Sequence, residues 1–446
     1  MPEPPSGPDS AASSVVFQEL TAQSELPPST GLSPERFRRG LRQTFRALRH
    51  RNYRLFVTGQ IVSLVGTWMQ NVAMSWLVYR LTHSELLLGT TWFCTQLPVF
   101  ALGPLGGLAS DRYSRHRLVV LTQTLSMFQA FTLAALTLSG TVTVWHVMVL
   151  ALTLGCINAF DMPARQSLIV QLTSKDDLLN AISINSAIFN AARVVGPGLA
   201  GVIVALAGEG VCFLVNGLSF VAVIGCLLSM RVPRRESTSQ NSPWSHLLEG
   251  FRYAYRHSVV RPLLLMMAAT TISGMPALVL MPFFADEIFQ KGSQGLGALM
   301  GAMGAGAVVG TLVLAGRGQT VGLPRVILFS AITMGVCFIA FAFCPVFELA
   351  LAIMPVIGFS VMRQMASANT LIQSTIPDQF RGRIMAMYSM TVVGLGPFGS
   401  LAAGAMAHSQ GPRLTVCAGG LLALAASFVF AMKMRAPAVA VATEHP

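Results

Sequence analysis

The sequence predicts an all-α membrane protein in which twelve transmembrane helices form two pseudo-symmetric six-helix bundles. Of its 446 residues, 53% are hydrophobic and only 11% are charged, whereas a soluble domain carries about 25% charged residues. Apolar stretches recur with the length of roughly 20 residues that a helix needs to cross a bilayer. One sequence pattern also occurs twice, which indicates that the two halves of the chain are related.

The apolar stretches fall into two groups of six. The first group lies near 55–78, 86–109, 118–138, 143–163, 183–206 and 211–230. The second group lies near 262–285, 295–316, 324–343, 346–368, 384–407 and 413–432. The predicted organisation is an N-terminal tail, a first bundle, a linker, a second bundle and a C-terminal tail, with bounds at 1–50, 51–230, 231–261, 262–434 and 435–446.

The N-terminal tail is predicted to consist of two parts. Residues 1–34 are rich in Pro and Ser, a composition typical of disorder, and they lack the apolar core and cleavage site of a signal peptide. The basic stretch that follows places Phe37, Leu41, Phe45 and Leu48 at helical spacing. It is either an amphipathic helix in the membrane interface or an ordinary basic flank of the first span.

The basic residues predict the orientation of the chain. Most lie in the tails, in the linker and in loops on one side of the predicted membrane, and only Arg80, Lys291 and Arg413 fall on the other side. Because Lys and Arg accumulate in cytoplasmic loops, both termini are predicted to be cytoplasmic, in a plasma membrane that in bacteria is the inner one. Topology and contact with the lipid bilayer account for the net charge of +12, and no nucleic-acid partner is expected.

The duplicated pattern is clearest on either side of a Gly-Pro pair. From Leu168 the chain reads LIVQLTSKDDLLNAISINSAIFNAARVVGPGLAG, and from Leu371 it reads LIQSTIPDQFRGRIMAMYSMTVVGLGPFGSLAAG. Gly196 and Gly396 therefore begin equivalent pairs 200 residues apart. In transporters, such halves pack about a pseudo-twofold axis with the substrate site at their interface.

A charged island, GGLASDRYSRHR, covers residues 106–117 between two apolar stretches. Its glycine four residues before an aspartate, followed by arginines, resembles the loop between transmembrane helices 2 and 3 of the major facilitator superfamily. The strings DMPARQS from Asp161 and FNAARVVGP from Phe189 narrow the resemblance to the branch that contains the enterobactin exporter and related transmembrane secretion effector permeases. This resemblance runs from about Arg51 to Met434.

The resemblance implies a cytoplasmic gate. A small residue at Gly107 would let the second helix approach a neighbour closely, and Asp111 could pair with Arg115. In family members the loop arginine also meets an acid at the cytoplasmic end of helix 4, where Asp161 stands. We predict that these charges close the inside of the outward-facing state, the alternative being solvated loop charges. The predicted gate residues are Gly107, Asp111, Arg112, Arg115, Arg117 and Asp161.

The fifth span carries a motif that resembles the glycine-proline motif of exporters in this superfamily, with Gly196, Pro197 and Gly201. Proline removes a backbone hydrogen bond and bends a helix, and the adjacent glycines allow close packing. The motif favours export over import, although helix packing alone could explain it.

Polar residues at three- to four-residue spacing predict the lining of a substrate cavity, because a polar face in an apolar span should point into the bundle. Arg193 is predicted to face an anion, or else to pair with Asp161 or with backbone carbonyls. Arg363 is a second candidate cation, unless it extends to the membrane surface. The predicted cavity residues are Gln60, Thr67, Gln70, Asn71, Asn158, Asn190, Arg193, Arg363 and Gln364.

The resemblance implies a transporter and not an enzyme. The expected cargo is a small amphiphilic or anionic compound, such as a siderophore or drug, exported by alternating access. The sequence has no P-loop and no paired cysteine spacing of a metal site, so no cofactor or metal is expected. Protons are the expected coupling ion, with Asp161 as one possible carrier, and the chain is expected to act as a monomer. Uptake, lipid flipping, or a non-transporting role as a membrane sensor or assembly protein remain as alternatives.

Overall fold

The structure, a computed structural model, describes residues 46–232, 254–255, 257–315 and 322–442. Within these ranges, twelve helices are long and apolar enough to cross a membrane, which confirms the predicted fold class and the number of spans. The predicted disorder of residues 1–34 and nearly all of the basic stretch after it lie outside the described residues, as does most of the predicted linker.

The first half of the chain contains six of these helices. They are α1 (Arg51–Thr82), α2 (Glu85–Arg112), α3 (Arg115–Leu138), α4 (Val144–Leu172), α5 (Leu178–Ala207) and α6 (Glu209–Leu228). The junctions α2–α3 and α4–α5 lie at one end of the bundle, which we call the basic end because the arginine-rich loop of residues 106–117 reaches it. The junctions α1–α2, α3–α4 and α5–α6 lie at the opposite end.

The second half repeats this arrangement. Its helices are α7 (Val260–Val279), α8 (Gly292–Ala315), α9 (Leu323–Ala342), α10 (Phe347–Thr375), α11 and α12 (Pro412–Ala442). Helix α11 consists of two segments, Asp378–Gly394 and Gly396–Gln410, which together cross the membrane as one span. A π-helical turn, Phe284–Ile288, follows α7 at the opposite end.

The internal repeat is visible in the helix bounds. Helix α4 begins at Val144 and ends at Leu172, and α10 begins at Phe347 and ends at Thr375, so both ends are offset by 203 residues (347 − 144 and 375 − 172). Both helices continue well beyond the apolar stretches that predicted them. In the added turns the fully buried residues are mainly apolar, such as Leu168 and Ile372, and the polar ones are mostly half-buried or exposed.

The buried apolar side chains form three clusters with different memberships. The largest, which we call the shared core, includes residues of both halves near the opposite end, such as Leu77, Leu88 and Phe284. Towards the basic end each half has a separate core. The first contains Tyr53 and Leu168 and draws only on the first half, and the second draws only on the second half. The described part of the chain is therefore packed as one body at the opposite end and as two at the basic end.

Candidate functional site

Asp161 is the centre of a buried hydrogen-bonded network in the first half. Its side chain is only 5% exposed, and one carboxylate oxygen, Oδ1, accepts from the Thr122 hydroxyl at 2.6 Å and from the Gln123 amide at 2.9 Å. The other oxygen, Oδ2, accepts from the guanidinium of Arg165, one turn further along α4. A buried carboxylate requires such donors because its desolvation is costly.

Arg165 connects this network to a third helix. Its Nη1 donates to Oε1 of Gln60 on α1 at 2.6 Å, and its side chain is 20% exposed. The ion pair with Asp161 thus links α4 to α1 and α3. Oε1 of Gln123 is buried and has no hydrogen-bond partner among the described residues. The apolar stretch of the fourth span ends near residue 163, but α4 continues to Leu172, so Arg165 stands on the helix and not in a loop.

The loop charges lie apart from Asp161 in this structure. Arg115 is 3.9 Å from Asp111 and donates to the backbone oxygens of Ser110 and Ser167 at 3.4 and 3.5 Å. Asp161 is instead occupied by Arg165, which is a turn away on the same helix and can reach it without moving a loop. The predicted three-residue contact of Asp111, Arg115 and Asp161 is therefore limited here to Asp111 and Arg115. Arg112 and Arg117 are exposed at the basic end.

The close helix approach predicted for Gly107 is made by its neighbour. A Cβ atom at Gly107 would meet no atom within 4 Å, whereas one at Gly106 would collide with the backbone of Ala159 on α4. The predicted close approach is thus made one residue earlier in the sequence, which corresponds to a rotation of about 100° around the helix axis. Gly107 faces away from α4, and its side of α2 is open in this structure.

Three of the predicted cavity residues line a cavity of about 70 Å³ between α1, α2 and α4. Thr67 and Asn71 contribute from α1, and Asn158 contributes from α4. The rest of the wall comes mainly from α2, whose polar residues in this region are not among the predicted cavity residues. They are Thr91, Trp92, Thr95 and Gln96.

Three other predicted cavity residues are buried in contacts between helices. Gln60 accepts from Arg165, and Gln364 donates to the Thr270 hydroxyl at 3.1 Å. Gln70 donates to Gln129 at 3.0 Å and accepts from Asn216 at 2.7 Å, which joins α1, α3 and α6. An amide in an apolar bundle needs such partners. The polar periodicity therefore identified the interior face of each helix, but it did not distinguish residues that bind a neighbouring helix from residues that line a cavity.

The two predicted cations, Arg193 and Arg363, lie near the middle of their helices. Arg193 is 15 residues into α5, or about 22 Å at ~1.5 Å per residue, and its guanidinium is 5.7 Å from the ring centroid of Trp68. Arg363 lies 5.5 Å from the ring of Phe359 on its own helix and is 12 residues from the end of α10, deeper than the sequence indicated. Neither has a carboxylate within ion-pair distance in the described residues. Asn190, by contrast, donates to the Ser186 carbonyl of its own helix at 2.8 Å.

The glycine-proline motif of α5 packs against α8 of the other half. A Cβ at Gly201 would lie 2.8 Å from the Ser293 oxygen and 3.0 Å from Cα of Gly297, and one at Gly297 would lie 2.6 Å from the Pro197 oxygen. Gly196 instead faces Trp68 on α1. Gly196 of the motif therefore packs within the first half, and Gly201 packs at the junction between the halves.

A second junction between the halves joins α2 to α11. A Cβ at Gly89 would lie 2.9 Å from Cα of Gly404. At the opposite end, the buried hydroxyl of Tyr79 donates to Asp286 at 2.7 Å, and Glu85 lies 3.8 Å from His408. Tyr79 and Asp286 lie 207 residues apart along the chain, so local sequence gives no sign of this contact.

Comparison with known proteins agrees with this architecture. Residues 42–445 match the family described as transmembrane secretion effector. The chain is 26% identical to the staphyloferrin A transporter of Staphylococcus aureus over 84% of this chain and 94% of that protein. It is 27% identical to the multidrug efflux pump Tap of Mycolicibacterium fortuitum over 85% and 96% of the two chains.

The fold also matches that of a solved transporter. A bacterial homologue of the human lysosomal transporter Spinster, crystallised in an inward-facing and unoccupied conformation, superposes with a TM-score of 0.65 at 15% identity, over 86% of this chain and 96% of that one. The relatives in both comparisons are transporters and not enzymes. The chain is a multi-pass membrane protein that belongs to the transmembrane secretion effector family of the major facilitator superfamily.

Proposed function

We propose that this protein exports a small amphiphilic or anionic compound, siderophore-like or drug-like, by alternating access coupled to proton antiport. The observation that carries the proposal is the division of the buried cores. A single shared core at the opposite end and separate cores at the basic end leave the basic end as the side on which the halves can part. A siderophore transporter and a multidrug efflux pump among the relatives support the cargo class and the direction.

The proposed orientation places the basic end and both termini in the cytoplasm of the cell that carries the protein in its plasma membrane. The distribution of Lys and Arg supports it, because positive loops are retained on that side. In this orientation the structure corresponds to a conformation open to the cytoplasm. Each half packs against the other within one chain, which supports a monomer as the working unit.

Arg193 and Arg363 are the proposed contacts for an anionic group of the cargo. Each is a cation near mid-membrane without a carboxylate partner in the described residues, and such a charge costs at least ~2.5–3.5 kcal/mol to insert. A functional anion offsets that cost during transport. The aromatic rings of Trp68 and Phe359 give partial compensation when the anion is absent.

Asp161 is the proposed proton carrier. Protonation would remove the charge that holds Arg165 and would turn one acceptor oxygen into a donor. The Gln123 oxygen, which has no partner among the described residues, is then an available acceptor nearby. The contacts among α1, α3 and α4 would therefore change with protonation of one carboxyl group, which couples a proton to helix packing.

The loop charges Asp111, Arg112, Arg115 and Arg117 are the proposed gate of the other conformation. The open side of α2 at Gly107 is available to a helix of the second half when the basic end closes. Closure there would bring the loop charges out of solvent and against that helix. In the present conformation the only ion pair of this loop among the described residues is Asp111 with Arg115.

The transport proposal is tested in inverted membrane vesicles. A panel of fluorescent drugs and a catecholate siderophore is supplied outside, with and without collapse of the proton gradient, and vesicles without the protein serve as the control. We expect gradient-dependent accumulation of at least one compound. Accumulation only in right-side-out vesicles would replace export by uptake, movement of labelled lipid alone would indicate lipid flipping, and no movement in either orientation would favour a sensor or assembly role.

The alternating-access proposal is tested at the α5–α8 junction. In Gly297→Ala the new Cβ would press on the Pro197 oxygen. Overpacking of this kind costs about 1–3 kcal/mol, which is roughly a 5- to 150-fold shift between two conformations. Ser400 is buried on α11, next to Gly89 of α2 at the second junction between the halves. We expect a cysteine introduced there, in a cysteine-free background, to become more reactive. Gly198→Ala is the matched control, because a Cβ there meets no atom within 4 Å. Equal reactivity in both variants would contradict the proposal.

A further inference from the structure

The cavity of about 70 Å³ described above belongs to one half of the molecule. All of its lining residues come from α1, α2 and α4. One water needs about 10–15 Å³ of such space, so the cavity can hold a few waters or one small chemical group. Leu88, Met74 and Leu154 form its apolar part. No residue of the second half is needed to complete the wall.

The cavity wall contains polar groups that have no hydrogen-bond partner among the described residues. The indole Nε1 of Trp92 is buried and has no hydrogen-bond acceptor among the described residues. An unmatched buried donor costs about 1–3 kcal/mol. The side-chain amides of Asn71, Gln96 and Asn158 make no hydrogen bond within the described chain either, and all three are partly exposed. Four neutral hydrogen-bonding side chains on three helices thus share one small space.

The chemistry of the wall selects the kind of group that fits. None of the lining residues is charged, so a carboxylate or ammonium group would be buried without a counter-charge, which is costly. Thr91 and Thr95 donate their hydroxyl hydrogens to carbonyls of their own helix, so their oxygens retain lone pairs and act as acceptors. The indole N–H and the amides supply donors. A group that both accepts and donates, without charge, satisfies the wall.

We propose that this cavity is a subsite for a neutral hydrogen-bonding group of the cargo, a carboxamide or a hydroxyl, with Trp92 donating to its oxygen. The proposal rests on the proposed transport function, and it separates the recognition of the neutral group from that of the anion at Arg193 and Arg363. Because the wall belongs to one half, the subsite keeps its shape when the halves move. The neutral group stays bound to the first half while access changes around it.

The test uses two fluorinated fragments of the same size that differ in charge, trifluoroacetamide and trifluoroacetate. Their binding to the full chain in lipid nanodiscs is followed by fluorine NMR line broadening, with empty nanodiscs as the blank. We expect trifluoroacetamide to bind, and Trp92→Phe to weaken its binding about threefold to tenfold, the range for loss of one hydrogen bond. Trp145→Phe is the matched control, because Trp145 is 67% exposed at the start of α4.

Trifluoroacetate is expected to show no dependence on Trp92. Equal binding of trifluoroacetamide to the wild type and to Trp92→Phe would overturn the proposal, as would Trp92-dependent binding of trifluoroacetate. If Trp92→Phe unfolds, Asn158→Ala provides the same comparison, with the same expected loss and the same contrary result. Trp92-dependent binding of trifluoroacetamide to a protein that moves no compound in vesicles would support the subsite and reject transport. Vesicle transport without amide binding would do the reverse.

Discussion

Asp161 in the first half and Gln364 in the second half occupy equivalent positions, 203 residues apart like the ends of their helices. Both are almost completely buried. Asp161 accepts hydrogen bonds from α3 and pairs with Arg165, which reaches α1. Gln364 makes one neutral bond to Thr270 on α7, and Ala368 stands where the first half has Arg165. The same fold position thus holds an ion pair in one half and an amide in the other.

The two halves therefore have the same architecture but unequal electrostatics. A proton can change the charge of the first network, whereas the amide of Gln364 does not titrate. If transport is coupled to protons, the coupling is expected in the first half, and the second half is expected to follow mechanically through the α2–α11 and α5–α8 junctions.

The largest effect is expected from Asp161→Gln, which gives the first half the residue of the second. Arg165 would lose its counter-charge, and removing one partner of a buried pair costs about 3–5 kcal/mol. We expect a strong fall in the thermal unfolding temperature in detergent and loss of transport in vesicles. A variant with the wild-type unfolding temperature would show that the ion pair is not a structural element.

The double variant Asp161→Gln with Arg165→Ala completes the conversion. Replacing a whole buried ion pair by uncharged residues often changes stability little, so most of the lost unfolding temperature should return. The recovery should be incomplete, because Gln60 no longer has Arg165 as its hydrogen-bond donor. We expect cargo to equilibrate across the vesicle membrane without responding to the proton gradient. Gradient-driven accumulation by this double variant would place the proton carrier elsewhere.

The two mid-membrane cations should differ in importance. The backbone of Arg193 touches Gly304 at the α5–α8 junction between the halves, whereas Phe359, on which Arg363 stacks, touches Gly310 within the second half. We expect Arg193→Gln to weaken the transport of an anionic compound about tenfold, or ~1.4 kcal/mol, and Arg363→Gln to weaken it less. Neutral compounds serve as the control. Equal rates for both variants and the wild type would remove the anion assignment.

The smallest effect is expected from Gln364→Leu. It removes one neutral hydrogen bond, worth about 0.5–1.5 kcal/mol, and the Thr270 hydroxyl still has carbonyls of its own helix within reach. We expect a shift of a few degrees in the unfolding temperature, with gradient-dependent transport retained. Loss of proton-coupled transport in Gln364→Leu would show that the amide takes part in the mechanism and that proton coupling is not confined to the charged network of the first half.

The sequence predicted the interior face of the helices better than the role of each residue on it. Gln60, Gln70 and Asn71 all recur at helical spacing on α1, yet only Asn71 lines the cavity. The other two are satisfied by Arg165 and by Gln129 with Asn216. Spacing identifies a polar stripe, but whether a member packs or lines depends on side chains from other helices.

The twelve spans, the relation between the halves and the family could be predicted from the sequence alone, because hydrophobic length, repeated order and short motifs are local properties of the chain. The side chains around the Asp161–Arg165 pair follow from the tertiary structure, since Gln123 and Thr122, which donate to Asp161, lie 38 and 39 residues away along the chain. Gln60, which accepts from Arg165, lies 105 residues from it. The tertiary structure also decided that Gly106 and not Gly107 meets α4, and that the halves share a core at one end only. These are consequences of how helices rotate and cross in three dimensions, which one-dimensional periodicity does not specify.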